Sequence, residues 1–252
     1  MASNSDKTVL ITGASRGIGA ASAVAAAAAG WRVCINFRKC GEEAESLVSR
    51  IQQAGGEAAA CQADVGNEAE VLSLFEFVDK RFGKLDALVN NAGIITPSSR
   101  LVDMDCARLE RIFRVNITGS FLCAREAVKR MSTRLGGNGG SIVNLSSAAS
   151  RLGAPGEFID YASSKGAIDT FTLGLAKEVG AEGIRVNGVR PGLIETDIHA
   201  DTGDLGRSER LRPLVPMQRI GTADEVATCI VWLLSEQASY VAGALLDVSG
   251  GR

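Results

Sequence analysis

The chain has 252 residues, with 27 Lys and Arg against 29 Asp and Glu and a formal net charge of -2. No basic field arises from this balance for a nucleic-acid backbone or an anionic membrane, and no apolar stretch, including the polar start Met1 to Lys7, has the length of a membrane span. Six cysteines at 34, 40, 61, 106, 123 and 229 lack the short paired spacing of a zinc site or a disulfide framework, so the expectation is a cytoplasmic protein with reduced thiols and no metal.

Short β-branched runs alternate with longer helical patterns along the whole chain, the signature of βαβ units around a parallel sheet. Thr8–Ile11 reads as a buried strand, followed by a glycine-rich turn and a helix over Gly17–Ala29 whose alanine run, 25–29, suits close packing on the sheet. A strand over Arg32–Asn36 leads to a helix over Glu42–Ala54, and a strand over Glu57–Gln62 to a helix over Glu68–Phe82. Ala87–Val89 then precedes one long helical stretch, Cys106–Leu135, and Ser141–Asn144 precedes another, Asp160–Glu182. Arg185–Val189, a helix over Ala223–Ser235 and a last strand over Leu245–Val248 complete the set. The prediction is an α/β fold: a single domain over 1–252 with a seven-stranded, parallel, doubly wound sheet and helices on both faces. Leu193–Pro216, rich in charge and glycine, breaks the alternation and reads as a segment lying over a site, a substrate lid over about 193–216.

The first strand runs straight into Thr12-Gly13-Ala14-Ser15-Arg16-Gly17-Ile18-Gly19 and a helix, the setting in which a turn holds a dinucleotide pyrophosphate. Glycines allow the tight turn and close backbone approach, and the helix N-terminus presents amide donors and a positive dipole end to phosphate. Tyr161 and Lys165 are four apart and share a helical face. A cation beside a phenol favours phenolate, bringing a group that titrates at about 10 toward working pH, where it serves as acid in reduction and base in oxidation. Ser147 or Ser146, after the fifth strand, can donate to a substrate oxygen that develops charge.

The T-G-x-x-x-G-I-G turn resembles that of the short-chain dehydrogenases/reductases. Further matches follow in order: Asn90-Asn91-Ala92-Gly93 after the fourth strand, Asn116 in a Val-Asn-Ile stretch, Ser146-Ser147, Tyr161-Ala162-Ser163-Ser164-Lys165 and Pro191-Gly192. The resemblance spans about residue 7 to Arg252. It implies a Rossmann fold, a catalytic set of Asn116, Ser147, Tyr161 and Lys165, and a proton relay in which Asn116 holds a water linking Lys165 to solvent. By the same resemblance, Gly13, Ser15, Arg16, Gly17, Ile18 and Gly19 face the cofactor, with Asn91, Ala92 and Gly93, Tyr161 and Lys165, and Pro191, Gly192 and Thr196. Asp64 and Val65 resemble the pair that contacts adenine; Asp64 equally suits a cap on the following helix. The segment Gly153–Asp160 before the tyrosine is longer and more acidic than in many relatives, and Ser150 stands where many carry glycine, which bears on the substrate wall.

NAD-specific sites carry Asp or Glu at the end of the second strand, to accept from both ribose hydroxyls. This sequence reads Asn36-Phe37-Arg38-Lys39 there, and Arg16 in the turn adds a further cation. A guanidinium pairs with a phosphate and finds no counter-charge on a hydroxyl, so NADP(H) is favoured over NAD(H), with Arg38 as its reader; solvated loop charges are the plainer alternative. The expected function is reduction or oxidation at a ketone, aldehyde, 3-oxoacyl or sugar carbon, similar to 3-oxoacyl-carrier-protein reductases and glucose dehydrogenases of the family. The alternative is a non-catalytic NADP(H) sensor or scaffold on the same fold. The lone histidine, His199, falls in the lid and reads as surface or substrate wall rather than base. The resemblance also implies a homotetramer, with the helices 106–135 and 160–182 as packing faces.

Overall fold

The computed structural model describes residues 6–196 and 206–252; His199 and the centre of the expected lid lie outside them. Seven parallel strands form one sheet in the order β3-β2-β1-β4-β5-β6-β9. They are β1 (Thr8–Ile11), β2 (Arg32–Phe37), β3 (Ala58–Gln62), β4 (Ala87–Asn90), β5 (Gly140–Leu145), β6 (Ile184–Pro191) and, after two short strands described below, β9 (Leu245–Val248).

Successive side chains of a strand point to opposite faces, and here each face finds its own core. Val9, Ile11, Val33 and Ile35 pack with Ala23 and Ala26 of α1 (Gly17–Ala28), Leu47 and Ile51 of α2 (Gly41–Gln53), and Val226 and Ile230 of α9 (Ala223–Leu234). Leu10, Cys34 and Leu88 point the other way, onto Leu74 and Phe75 of α3 (Glu68–Phe82), Ala127 and Met131 of α5 (Gly119–Met131), and Val179 of α7 (Ile159–Val179). Helices cover both faces, as a doubly wound sheet requires, and the alanine-rich α1 lies directly against α9.

Two sequence expectations are corrected. The helix expected over Cys106–Leu135 is instead α4 (Cys106–Phe113), a π-helical turn at Arg114–Thr118, and α5, with a 3-10 turn at Thr133–Leu135. The cause is Asn116, whose side chain is held by the loop after β4. Second, Leu193–Pro216 is not merely irregular. Ile194–Glu195 (β7) pairs in parallel with Gly221–Thr222 (β8), a short helix α8 spans Arg207–Leu211, and Leu193, Leu211 and Val215 form a small apolar cluster. A four-residue helix, α6 (Ala149–Leu152), follows β5. Among the described residues no helix is long and apolar enough to cross a membrane.

The strand order reverses between β1 and β4, so the helices that follow those two strands lie on opposite faces of the sheet and leave a crevice at the strands' C-terminal ends. Both glycine-bearing motifs sit at its mouth.

Candidate active site

In the turn after β1 the glycines answer three different demands. Gly13 and Gly17 take φ of 60° and 58°, the left-handed region that L side chains avoid. A Cβ on Gly13 would also lie 2.9 Å from Ala92 Cα, and one on Gly19 would lie 2.5 Å from Asn91 Nδ2. The loops after β1 and β4 therefore touch backbone to backbone. Asn91 seals the contact, its Nδ2 donating to the carbonyls of Thr12 and Gly13, both at 2.9 Å, while Thr12 Oγ1 accepts from the amides of Asn91 and Ala92, both at 3.0 Å. Asn36, buried at the end of β2, accepts from the Gly13 amide at 3.2 Å and donates to Ala63 O at 3.1 Å. Sequence reasoning saw Asn36 only as the absence of an acid; the signal was an amide side chain near the end of an apolar strand.

Helix α1 starts at Gly17 with Arg16 as an extended N-cap, no side-chain cap and no acid in its first turn. Its leading amides and dipole end therefore face the crevice with nothing anionic from their own helix in front of them. A cavity of about 310 Å³ runs along this turn, past Ser15, Arg16, Gly17 and Ile18, to Arg38, Asp64 and Val65 at the ends of β2 and β3. The glycine turn, the start of α1 and the ends of β2 and β3 thus line one groove, and a Cβ at Gly13 or Gly19 would clash with the loop after β4. Arg38 Nη1 stands 3.4 Å from Asp64 Oδ2, an exposed pair of small energetic weight. The reading of Asp64 as a helix cap is corrected: α3 is capped by Asn67, which accepts from Ala69 N at 3.1 Å, while Asp64 accepts from Gly66 N at 2.9 Å. Asn67 is the better cap because it stands at the helix boundary in extended backbone, where its oxygen meets the free amides.

A second cavity, of about 430 Å³, shares Ile18, Asn91, Gly93 and Thr196 with the first and contains Ser147, Tyr161, Lys165, Pro191 and Gly192. Its far wall is apolar, from Ile95, Leu152, Pro155, Phe158, Leu193 and Leu211, and Glu157 and Arg252 also reach it. Thr196 stands beside the turn, its Cγ2 at 3.6 Å from where a Gly17 Cβ would be.

Tyr161 and Lys165 lie one turn apart on α7, with Lys165 Nζ 5.7 Å from the phenol ring centroid. Lys165 is buried; its ammonium donates to Leu145 O at 2.7 Å, and burial pushes it down to about 8, against an opposing pull from Asp169. Its unfolded-state value is about 10.4, so between about pH 8 and 10.5 the unfolded chain binds the extra proton and stability rises with pH. Below that window the full penalty of the buried cation remains. Urea titrations should therefore show wild type gaining stability relative to Lys165→Met from pH 8 to 10.5 and no change in the difference below pH 7; a flat difference across the range would contradict the burial of a titrating ammonium.

The two serines part company. Both line the cavity, but Ser146 is buried and its hydroxyl donates to Lys165 O at 3.1 Å, whereas Ser147 Oγ accepts from Ala149 N at 3.1 Å and keeps its proton available. Asn116 lies behind the wall. Its Oδ1 accepts from Ile94 N at 2.8 Å, and its Nδ2 donates to Ile94 O and Ser164 Oγ, both at 3.0 Å. The side chain clamps the β4 loop to α7, and the π-helical turn is the backbone arrangement in which it does so. Gly93 completes the corner, since a Cβ there would meet Lys165 Nζ at 3.4 Å and Asn116 Oδ1 at 3.5 Å. Of the residues expected to be catalytic or to face the cofactor, Gly19 and Asn116 line neither cavity; one gives room to Asn91, and the other sits under Gly93.

Comparison with known proteins finds relatives over nearly the whole chain. A family described as enoyl-(acyl carrier protein) reductase matches residues 13–252. An uncharacterized oxidoreductase of Escherichia coli K12, YgfF, is 51% identical over 243 residues, covering 96% of this chain and 98% of that protein. A 3-oxoacyl-[acyl-carrier-protein] reductase of Synechocystis is 38% identical over 246 residues, with 97% and 96% covered. A short-chain dehydrogenase from Burkholderia cenocepacia, solved in complex with NADP, superposes with a TM-score of 0.90 at 33% identity, covering 98% of each chain.

Proposed function

The chain belongs to the short-chain dehydrogenase/reductase family of oxidoreductases, and on that premise we propose that it is an NADP(H)-dependent enzyme moving a hydride between nicotinamide and a carbonyl or alcohol carbon. Its substrate is a ketone, aldehyde, 3-oxoacyl compound or sugar. The observation that carries this reading is the convergence of Ser147, Tyr161 and Lys165 on one largely apolar cavity that joins the glycine-turn cradle at Ile18, Asn91, Gly93 and Thr196.

The glycine turn, Asn91–Gly93, Asp64–Val65, Pro191–Gly192 and Thr196 hold the dinucleotide, with Arg16 and Arg38 at its 2'-phosphate. When bound, the cofactor supplies or accepts the hydride. Ser147 donates to the substrate oxygen and lowers the cost of its growing charge. Tyr161 gives that oxygen a proton in reduction and takes one in oxidation. Lys165 places a positive charge beside the phenol, favouring the phenolate it leaves behind. Asn116 sets the loop that carries Gly93 and so the corner in which Lys165 sits, taking a structural place beside the relay the resemblance implies. The segment about 193–216 acts as the lid, with Leu211 already on the cavity wall. The assembly is a cytoplasmic homotetramer, in which the exposed Phe121 and Leu173 of α5 and α7 meet a partner subunit.

The test is consumption of NADPH against a panel of ketones, β-ketoesters, quinones and aldehydes, with sugars run in the oxidative direction. Turnover on part of the panel, faster with NADPH than NADH, is the expected result. Tight NADPH binding with no turnover across the panel would favour a sensor or scaffold instead.

A further inference from the structure

Arg108, on α4, belongs to no motif and lines neither cavity. Its guanidinium nevertheless ties together two segments that line the cavity holding Ser147, Tyr161 and Lys165. Nε donates to Asp160 Oδ2 at 2.7 Å and Nη2 to Asp160 Oδ1 at 3.4 Å, a fork on one carboxylate, while Nη1 donates to Pro97 O at 2.7 Å. The Asp160 side chain is fully buried and that of Arg108 is 15% exposed, so this pair is shielded from water, unlike most arginine–carboxylate pairs among the described residues. Asp160 is the residue before Tyr161 and the only acid in the first turn of α7. Its Oδ1 also accepts from the Tyr161 amide at 2.9 Å, one of the donors that a helix start leaves without a carbonyl partner. A second tether runs parallel, Ser99 N donating to Glu157 O at 2.9 Å.

The two segments so joined both line the cavity: Gly93 and Ile95 come from the loop after β4, and Pro155, Phe158 and Tyr161 from the approach to α7 and its first turn. We infer that Arg108 and Asp160 form a positioning clamp, which fixes the height of the Tyr161 phenol over the cavity and the distance of the β4 loop from it. The inference rests on the reading of Tyr161 as the acid/base. Neither residue touches substrate or the reacting atoms. The guanidinium alone reaches both the carboxylate and the Pro97 carbonyl; lysine supplies the charge without the fork. Since displacement of a reacting group by about 1 Å costs on the order of a hundredfold in rate, loosening this clamp falls on turnover more than on cofactor binding, to which the glycine turn and the ends of β2 and β3 also contribute.

The experiment compares Arg108→Ala, Arg108→Lys, Asp160→Ala and the double alanine variant, assayed well below their melting temperatures with the best substrate of the carbonyl panel. The expected result is a fall of tenfold or more in kcat for each alanine variant, with the NADPH dissociation constant within about twofold of wild type. The double variant should be no worse than the poorer single one, since both remove one interaction. Arg108→Lys should lie between wild type and Arg108→Ala. A merely structural pair would lower the melting temperature and leave kcat of the folded enzyme within threefold, and that outcome overturns the proposal. If Arg108→Ala does not fold, Arg108→Lys decides it by the same criterion. Hydrogen exchange gives a readout independent of turnover: in Arg108→Lys the amides of Ser99 and Tyr161 should lose protection together while those of α1 and the glycine turn do not. Independent behaviour of the two amides overturns the clamp even if no substrate is found, whereas turnover that survives in Tyr161→Phe overturns the acid/base reading and leaves the exchange result standing.

Discussion

Tyr161→Phe is expected to lose between about a hundredfold and ten-thousandfold in kcat while still binding NADPH, the range typical of removing one positioned acid/base group. The substitution deletes a single oxygen. The ring stays on α7 against the Lys165 ammonium, 5.7 Å from its centroid, and the hydrogen bond from Tyr161 N to Asp160 is a backbone contact that phenylalanine repeats. Lys165→Ala should do worse and should also weaken the cofactor, because it removes the cation, the bond to Leu145 O and the filled volume of a buried side chain at once. Stopped-flow and steady-state assays with NADPH binding followed by fluorescence separate these effects. A Tyr161→Phe enzyme within threefold of wild type would mean that another group moves the proton, and the assignment of the site would fall with it.

How much of this was legible beforehand depends on where each feature finds its partners. The seven parallel strands were readable because strands covered on both faces are continuous apolar runs, and Val9-Leu10-Ile11 needs apolar contacts in both directions. The glycines of the turn were readable for a similar reason, since the backbone leaves no other residue at Gly13. The π-helical turn was not readable. Residues 106–135 keep helical periodicity throughout, and the interruption depends on Asn116 meeting Ile94, 22 positions away in sequence. Two-residue strands such as β7 and β8 are too short to show a period, and they exist because Ile194 and Gly221 are brought side by side by the fold. Ser146 and Ser147, neighbours just after a strand, were separated only by the resemblance; in the fold both line the cavity, and the hydroxyl of Ser146 is taken up by Lys165 O while that of Ser147 accepts from Ala149 N. Arg108 and Asp160, 52 positions apart, were each an ordinary charged residue until the loops brought them together.

Arg38→Asp is expected to reverse the cofactor preference, moving the ratio of kcat/KM for NADPH over NADH by at least tenfold and toward a hundredfold. Arg38 follows the last residue of β2, and its guanidinium lies in the cavity that runs along the glycine turn, with Arg16 and Lys39 on the same cavity. It leans on Asp64 at 3.4 Å, in a pair whose arginine side chain is 42% exposed. A contact so long and so wet is worth little, so a dianionic 2'-phosphate, with several oxygens able to accept from the planar fork, competes for the guanidinium on favourable terms. Losing a charge-assisted bond of this kind costs roughly 1.5–3 kcal/mol, which alone gives about tenfold or more. An aspartate at position 38 adds a second effect, because it would stand beside Asp64 and present two carboxylates to whatever occupies the ribose site. They repel a phosphate and accept from the free 2'-hydroxyl of NADH. Arg16→Ala should give a smaller shift in the same direction, since Arg16 caps the start of α1 at the other side of the same cavity. Steady-state kinetics with both cofactors decide the matter: a wild type that prefers NADH, or a ratio unmoved in both variants, would make these arginines solvated bystanders of the turn rather than readers of the phosphate.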